Sequence, residues 1–281
     1  VRSAVVLVER RGELRPMTRH VVMFSGGVGS WAAAKRVAEK YGTDNLHLLF
    51  TDTLMEDADL YRFLAEAAAD VGGKFIRVAE GRDPWQVFHD KRFLGNTRID
   101  PCSAILKRNM AMAWVREHCD PSNTVIYLGI DWMEIHRLER SKRFWAPWRV
   151  EAPMCEAPLI DKPDILKALE AEGIRQPRLY DMGFPHNNCG GFCIKAGQAH
   201  FKLLLEKIPE RYGYHEMKEE ELRRYLDKNI AILRDRTGGQ TNPLTLKELR
   251  ERVESGRKID CDDWGGCGCF MDVELAGGRE Q

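Results

Sequence analysis

The sequence predicts an α/β protein: a doubly wound, mostly parallel sheet followed by a helical, cysteine-bearing extension. Three observations predict it. Short apolar runs (His20–Phe24, Leu46–Phe50, Lys74–Val78 and Val125–Leu128) alternate with helical stretches through residue 158. That alternation is the mark of strand–helix–strand units whose parallel sheet is covered on both faces. The first run breaks into Ser25-Gly26-Gly27-Val28-Gly29-Ser30 and reopens as the helical stretch Trp31–Val37. Beyond residue 158 strand-like runs give way to helices, and five of the chain's eight cysteines fall there.

Each element follows in order. His20–Phe24 is the first buried strand, and the glycine turn leads into a helix. Leu46–Phe50 is the second strand, ending at Thr51-Asp52-Thr53. A helix over 56–71 places Leu60, Phe63, Leu64 and Ala67 on one face. Lys74–Val78 is the third strand, 101–118 reads as a helix, and Val125–Leu128 is the fourth strand, ending at Gly129. Helices are predicted over 161–172, where Asp161 caps and Pro163 lies in the first turn, and over 194–208, 216–228 and 245–255. We divide the chain into residues 1–16, expected to be disordered or a mis-assigned upstream extension because Met17 directly precedes the first strand; a nucleotide-binding core, 17–158; and the extension, 159–281.

Composition narrows the function. Hydrophobic residues make up 43% and charged residues 31%, as in a globular protein with a sizeable core. Lys and Arg number 43 and Asp and Glu 43, so no global field favours nucleic acid, although a local basic groove stays open. No run approaches the ~20 apolar residues that span a bilayer. Val5–Val8 is too short for a signal-peptide core, so the cytoplasm is the expected compartment.

A strand that ends in a glycine turn and opens a helix is an anion site. Glycines let backbone N–H groups face a phosphate, and the helix N-terminus adds its positive dipole end. Ser25 and Ser30 bring hydroxyl donors. Neither the Gly-Lys-Ser/Thr close of a Walker loop nor the three-glycine dinucleotide fingerprint is present. Carboxyl ends of parallel strands are where such sheets bind ligands, which makes Thr51 and Asp52 binding candidates beside Ser25, Gly26, Gly27, Gly29 and Ser30. Asp52 could instead cap the next helix. Pro101-Cys102-Ser103-Ala104-Ile105-Leu106-Lys107-Arg108 sets a thiol at a helix start with two cations a turn on, an arrangement that lowers a thiol pKa. After the fourth strand, Gly129 permits close backbone approach, and Glu134 and Arg137 share a helical face at i, i+3. Arg137 suits a phosphate clamp, the alternative being a surface ion pair.

Eight cysteines in an expected cytoplasmic chain argue for metal or redox chemistry over disulfides. Cys189 and Cys193 flank two glycines, and Cys261, Cys267 and Cys269 lie in a second glycine-rich run. Such glycines let several thiolates reach one centre. Cys119 and Cys155 are isolated and assigned to packing.

Residues 25–30 resemble the pyrophosphate loop of the adenine nucleotide alpha-hydrolase superfamily, the PP-loop branch of the HUP folds. It includes ATP pyrophosphatases and phosphoadenosine-phosphosulfate (PAPS) reductases. Many pyrophosphatases carry Asp where this chain has Gly29. Residues 101–108 resemble the Cys-Ser/Thr-x-x-x-Lys stretch of PAPS-reductase-like proteins, and Gly129–Arg137 resembles that family's Gly-x-x-x-x-Glu-x-x-Arg signature. Asn187-Asn188-Cys189 through Cys193-Ile194-Lys195-Ala196-Gly197, then Pro243–Leu246, then Cys267–Cys269, resemble a phage and bacterial set with paired cysteine segments. The first pair is one residue wider here and the last pair tighter. The Glu-Cys-Gly nucleophile and tandem Cys-Cys motif of authentic sulfonucleotide reductases are absent from the sequence.

The resemblance implies ATP, or PAPS, bound with Mg²⁺ at the loop, and Lys107 near phosphate or sulfate. Glu134 would bind the nucleotide. It leaves Cys102 as a cluster ligand, a sulfur carrier or a structural thiol. Cys189, Cys193, Cys267 and Cys269 would ligate a [4Fe–4S] cluster or Zn²⁺, with Cys261 or Cys102 as alternatives. The leading expectation is an ATP-dependent adenylating enzyme for sulfur transfer, with Lys107, Arg137 and Cys102 in catalysis. A sulfonucleotide reductase and a zinc-stabilised nucleotide-binding module are the alternatives. A cysteine desulfurase or thioredoxin-like sulfur donor and a nucleic-acid acceptor are the partners such chemistry would use, and no membrane partner is expected.

Overall fold

The computed structural model describes residues 18–96, 99–236 and 239–266. The expected extension 1–16, and Cys267 and Cys269, lie outside the described residues.

Strand β1 (Arg19–Met23) runs into helix α1 (Val28–Tyr41), then β2 (Leu46–Asp52), α2 (Ala58–Val71), β3 (Lys74–Ala79) and α3 (Pro84–Lys91). The helix expected over 101–118 is two pieces, a π-helical stretch Ser103–Asn109 and α4 (Met110–His118). Strand β4 (Thr124–Tyr127), a 3-10 turn Trp132–Arg137, α5 (Leu138–Trp145) and β5 (Arg149–Glu151) complete the sheet. The order is β3-β2-β1-β4-β5, and all pairings are parallel. This is the doubly wound α/β architecture that the alternating apolar runs predict.

Burial on both faces explains why the strands read as apolar runs. Val22 and Phe24 face a core shared with α1 and α2, while Val21 and Met23 face one shared with α4 and α5. At β1 the strand order reverses: one connection leaves towards β2 and another returns at β4. The loops after β1 and β4 therefore open a crevice at one place, the usual ligand position of such sheets.

The later chain forms α6 (Lys162–Ala171), α7 (Arg178–Asp181), α8 (Gln198–Lys207), α9 (Pro209–Leu226), the hairpin β6 (Leu233–Asp235) and β7 (Asn242–Leu244), and α10 (Leu246–Glu254). Ile165 and Leu169 of α6 join the core of α1 and α2. A further core packs Trp85, Phe88 and Leu106 against Phe192, Phe201, Tyr212 and Leu249. Helix α9 begins at Pro209, seven residues earlier than expected at 216, because Tyr212 and His215 are buried on its inner face. At the far end, Gly265 bridges to Ala196, and the Gly266 N–H donates to the Lys195 carbonyl (3.1 Å). A Cβ on Gly197 would meet the Asp263 carbonyl oxygen at 2.2 Å, so glycine is what lets these two stretches touch.

Candidate functional site

The turn after β1 has the form the sequence implies. Gly26 is left-handed (φ 77°) and Gly27 caps α1 in an extended conformation. Ser30 turns back, its hydroxyl donating to the Gly27 carbonyl at 2.7 Å, so it braces the turn. Gly129 approaches from β4 so closely that a Cβ there would lie 2.9 Å from the Gly29 carbonyl oxygen and from Ser30 N and Cα. A polypeptide surface free of side chains is thus built where the two loops meet.

Beside it lies a cleft of about 360 Å³ lined by Ser25, Lys107, Gly129, Glu134 and Arg137, together with Tyr180, Pro185, His186 and Asn188 from the extension. Arg137 and Glu134 pair across one 3-10 turn (2.5 Å), so the surface ion pair and the cleft position hold together. The extension forms a roof. Asn187 donates from Nδ2 to the Gly26 carbonyl (2.8 Å), and Lys162 lies over the Tyr180 ring (4.2 Å) and donates to the Pro185 carbonyl (3.0 Å). Burial lowers the Lys162 pKa. His186 is pulled down to about 3, chiefly by burial and then by His200 and Lys107, and is neutral at pH 7.

Other predicted residues are placed differently. The Asp52 carboxylate is fully buried and accepts from the Leu54 N–H (2.8 Å), the Tyr61 hydroxyl (3.0 Å) and Arg77 Nε (2.8 Å). Its oxygens tie β2 to β3 and α2, away from the cleft lining. Burial and that carboxylate push Tyr61 up to about 12. Thr51 is buried beside it.

Behind the cleft is a second, small cavity of about 20 Å³. Cys102, Cys189 and Cys193 line it, with Thr53, Asp100, Ser103, Lys107 and Lys195. One cysteine from the core and two from the extension therefore border the same cavity. Lys107 belongs to both walls, its Nζ 3.5 Å from the buried Glu56 carboxylate, which also accepts from the Thr53 hydroxyl (3.0 Å). Cys189 adopts a left-handed backbone (φ 49°) followed by two positive-φ glycines, a turn that brings the Asn187–Cys193 stretch round the cavity. Cys261 is exposed. Cys119 and Cys155 pack elsewhere, the Cys155 thiol donating to the Ile130 carbonyl (3.4 Å).

The small cavity holds about one water-sized occupant. That is too little for an iron–sulfur cube, and among the described residues no group of three or more His, Cys, Asp or Glu side chains is arranged to hold a metal ion. Cys102, Cys189 and Cys193 by themselves form no such group, and Cys267 and Cys269, the other expected ligands, lie outside the described residues.

No protein-family model matches the chain, and no curated protein does. Solved structures do. One is a phosphoadenylyl-sulfate (PAPS) reductase from Candida auris in a phosphate complex, 15% identical, covering 61% of this chain and 80% of its own, with a TM-score of 0.41. Another is an NH3-dependent NAD synthetase from Campylobacter jejuni in complex with nitrate, 12% identical, covering 88% and 91%, also at 0.41. At that depth the chemistry rests on the residues of the cleft itself.

Sequence reasoning missed the roof. Tyr180 and His186 have no periodic signal, and Asn187, read only as part of the paired-cysteine segment, bonds the turn across 161 residues of chain.

Proposed function

We propose that the protein is a nucleotide-dependent enzyme that activates an acceptor oxygen as its adenylate and replaces that oxygen with sulfur carried on a cysteine. One observation carries the reading: Lys107 is a shared wall between the glycine-turn cleft and a cavity lined by three cysteines.

In this reading ATP sits with its phosphates at the Ser25–Ser30 turn. Backbone N–H groups, Lys107 and Arg137 neutralise charge that builds on the departing pyrophosphate. Mg²⁺ arriving with the nucleotide supplies further neutralisation, and Glu134 offers a carboxylate in the same wall. The acceptor oxygen attacks the α-phosphorus, and pyrophosphate leaves. The outer sulfur of a Cys189 persulfide then attacks the activated carbon, and AMP leaves with the oxygen. A second thiolate, Cys102 or Cys193, attacks Cys189 Sγ. The sulfur–sulfur bond breaks, the sulfur stays on the product, and a disulfide remains for a thioredoxin-like dithiol to reduce. Cys189 is the more exposed of the three, which suits the carrier; Cys102 and Cys193 are buried. A cysteine desulfurase is the class of partner that loads the persulfide.

A second reading is a sulfonucleotide reductase, for which the cavity lined by Cys102, Cys189 and Cys193 supplies candidate thiols. There a thiolate attacks the sulfonate sulfur of PAPS, the sulfur–oxygen bond to the nucleotide breaks, and a second thiol releases sulfite.

The test separates them. The protein is incubated with a desulfurase and cysteine, and intact-mass analysis after alkylation locates any persulfide. ATP or PAPS is then supplied. Sulfane sulfur on Cys189, with AMP and pyrophosphate released in equal amounts when acceptor is present, supports the first reading. Sulfite from PAPS supports the second. Bound nucleotide with no turnover of either leaves a binding module.

A further inference from the structure

The extension brings a phenol to the glycine turn. A Cβ built on Gly27 would lie 3.6 Å from the Tyr180 hydroxyl oxygen and 3.7 Å from Ser25 Oγ, so both hydroxyls sit against the residue that caps α1. The turn's other serine is committed elsewhere, since Ser30 donates to the Gly27 carbonyl (2.7 Å). Ser25 and Tyr180 are the hydroxyls of this corner that line the cleft. Tyr180 is also held firmly. Its neighbours on α7 are anchored: Leu179 is buried, and Arg178 makes two bonds to the buried Asp57 carboxylate (2.8 and 2.7 Å). The Tyr180 ring packs against the core of α1 and α2. Lys162 lies over that ring, its Nζ 4.2 Å from the centroid, and donates to the Pro185 carbonyl (3.0 Å). Asp161, one residue earlier, accepts from Trp132 Nε1 (3.2 Å), on the 3-10 turn that carries Glu134 and Arg137. Lys162 therefore sits where α6 is tied to the opposite wall of the cleft.

We infer that Tyr180 is a further catalytic residue, its hydroxyl donating to the departing pyrophosphate beside Gly27, and that Lys162 is the residue that positions it. The inference rests on the adenylating reading above. No proton changes hands: the phenol stays a neutral donor, and its bond strengthens as negative charge collects on the leaving oxygens. A neutral donor suits this corner. The two cations of the cleft wall already carry carboxylate partners, Lys107 with Glu56 (3.5 Å) and Arg137 with Glu134 (2.5 Å). A fixed O–H adds stabilisation without a further charge to desolvate. The cation over the ring face holds the plane of the phenol, and with it the direction of the O–H.

The test uses the full chain and two probes, inorganic pyrophosphate with Mg²⁺ and AMP, each titrated calorimetrically. Tyr180→Phe keeps the ring and its contact with Lys162 and removes only the oxygen. The expected result is about tenfold weaker pyrophosphate binding, as for a lost hydrogen bond to a charged group, with AMP affinity and melting temperature unchanged. A merely structural tyrosine would move both probes together, and that outcome overturns the inference. Unchanged pyrophosphate binding in the variant, or none by the unaltered protein, overturns it as well. If Tyr180→Phe melts early, the ratio of the two affinities, read well below its melting temperature, still decides. Lys162→Met is read in both backgrounds. It should weaken pyrophosphate binding where Tyr180 is present and change it little in Tyr180→Phe, and Lys162→Arg should restore most of the affinity. An equal loss in both backgrounds would make the lysine a phosphate contact of its own and overturn its positioning role. The titrations need neither acceptor nor turnover, which keeps the two readings apart. If the desulfurase assay releases no AMP and pyrophosphate, yet pyrophosphate binding depends on Tyr180, the adenylating reading falls and the phosphate contact stands. Release with unchanged pyrophosphate binding in Tyr180→Phe sinks the role of Tyr180 alone.

Discussion

Replacing Gly129 with alanine tests whether the phosphate turn is built by backbone contact between β1 and β4. The new Cβ would stand 2.9 Å from the Gly29 carbonyl oxygen, Ser30 N and Ser30 Cα. All three are main-chain atoms of the turn and of the first residues of α1, so no side chain can swing aside. The end of β4 and the start of α1 must part by several tenths of an ångström. Overpacking of this kind costs about 1–3 kcal/mol. For a chain of this size that is a fall of about 2–12 °C in melting temperature. In the proposed reading the same displacement misaligns the N–H groups offered to phosphate, so nucleotide affinity falls at least tenfold. Gly29→Ala is the matched control. Its Cβ would meet the Gly129 carbonyl at 3.5 Å, an ordinary contact, and its position in α1 gains helix propensity, about 1 kcal/mol for Gly to Ala. Calorimetric melting and titration with a non-hydrolysable ATP analogue read both variants. If Gly129→Ala melts and binds like the unaltered protein, or if Gly29→Ala is equally damaged, the proposed contact does not shape the turn.

Lys107→Met strands the buried Glu56 carboxylate and is expected to cost about 3–5 kcal/mol, as when one member of a buried pair is removed. Adding Glu56→Gln should restore most of the melting temperature while nucleotide turnover stays lost, which separates the two roles of the lysine. Asn187→Ala removes the bond to the Gly26 carbonyl, a loss of about 0.5–1.5 kcal/mol; its clearer sign should be a higher KM for nucleotide as the roof loosens. Glu219, buried and accepting the Ile232 and Leu246 N–H groups, is pushed up to about 7 by burial. A carboxyl whose folded pKa lies above its unfolded 4.5 is fully accommodated below pH 4.5, and its contribution is lost as pH climbs to 7, in all about 3 kcal/mol at 1.36 kcal/mol per unit. The melting advantage of the unaltered protein over Glu219→Gln should therefore be larger at pH 5 than at pH 7.5, and a difference independent of pH would refute the shift. His186, held down to about 3, has the opposite sign: its contribution is present above pH 6.5 and lost as pH falls towards 3, so His186→Gln should flatten the acid limb of the stability curve.

Legibility in this chain followed burial and locality. Strands β1, β2, β3 and β4 were readable because central parallel strands are apolar for nearly their whole length. Strand β5 was not, since three residues, Arg149–Glu151, become a strand only by pairing with β4. Helix α3 was missed although its start is written locally: Asp83 and Gln86 form a reciprocal capping box, with Pro84 in the first turn. The glycine turn, Glu134 and Arg137 line the cleft because they follow the ends of β1 and β4, whereas Lys107 reaches it from the π-helical stretch Ser103–Asn109. Asp52 shows the limit of that logic. A strand end says where a residue is and leaves open which neighbour will claim it, and here Arg77 on β3 and Tyr61 on α2 take the carboxylate.

The thiols show the same limit from the other side. Cys102, Cys189 and Cys193 were each visible, yet their sharing of one cavity depends on how the extension folds back over the core. Asn187 pins it to the turn, and the aromatic cluster of Trp85, Phe192 and His215 holds the stretch after Cys189, with the Phe192 and His215 rings stacked at 3.7 Å. The glycine-turn cleft and the cysteine-lined cavity are thus closed by one piece of chain. A change that loosens the roof should disturb both chemistries together, whereas a change confined to Cys102 should leave nucleotide affinity intact. Measuring nucleotide affinity and persulfide loading side by side on Asn187→Ala and Cys102→Ser puts that coupling to the test. Parallel losses in the first variant and a selective loss in the second are the expected pattern. Independent behaviour in Asn187→Ala would mean that the shared wall at Lys107 is proximity without function.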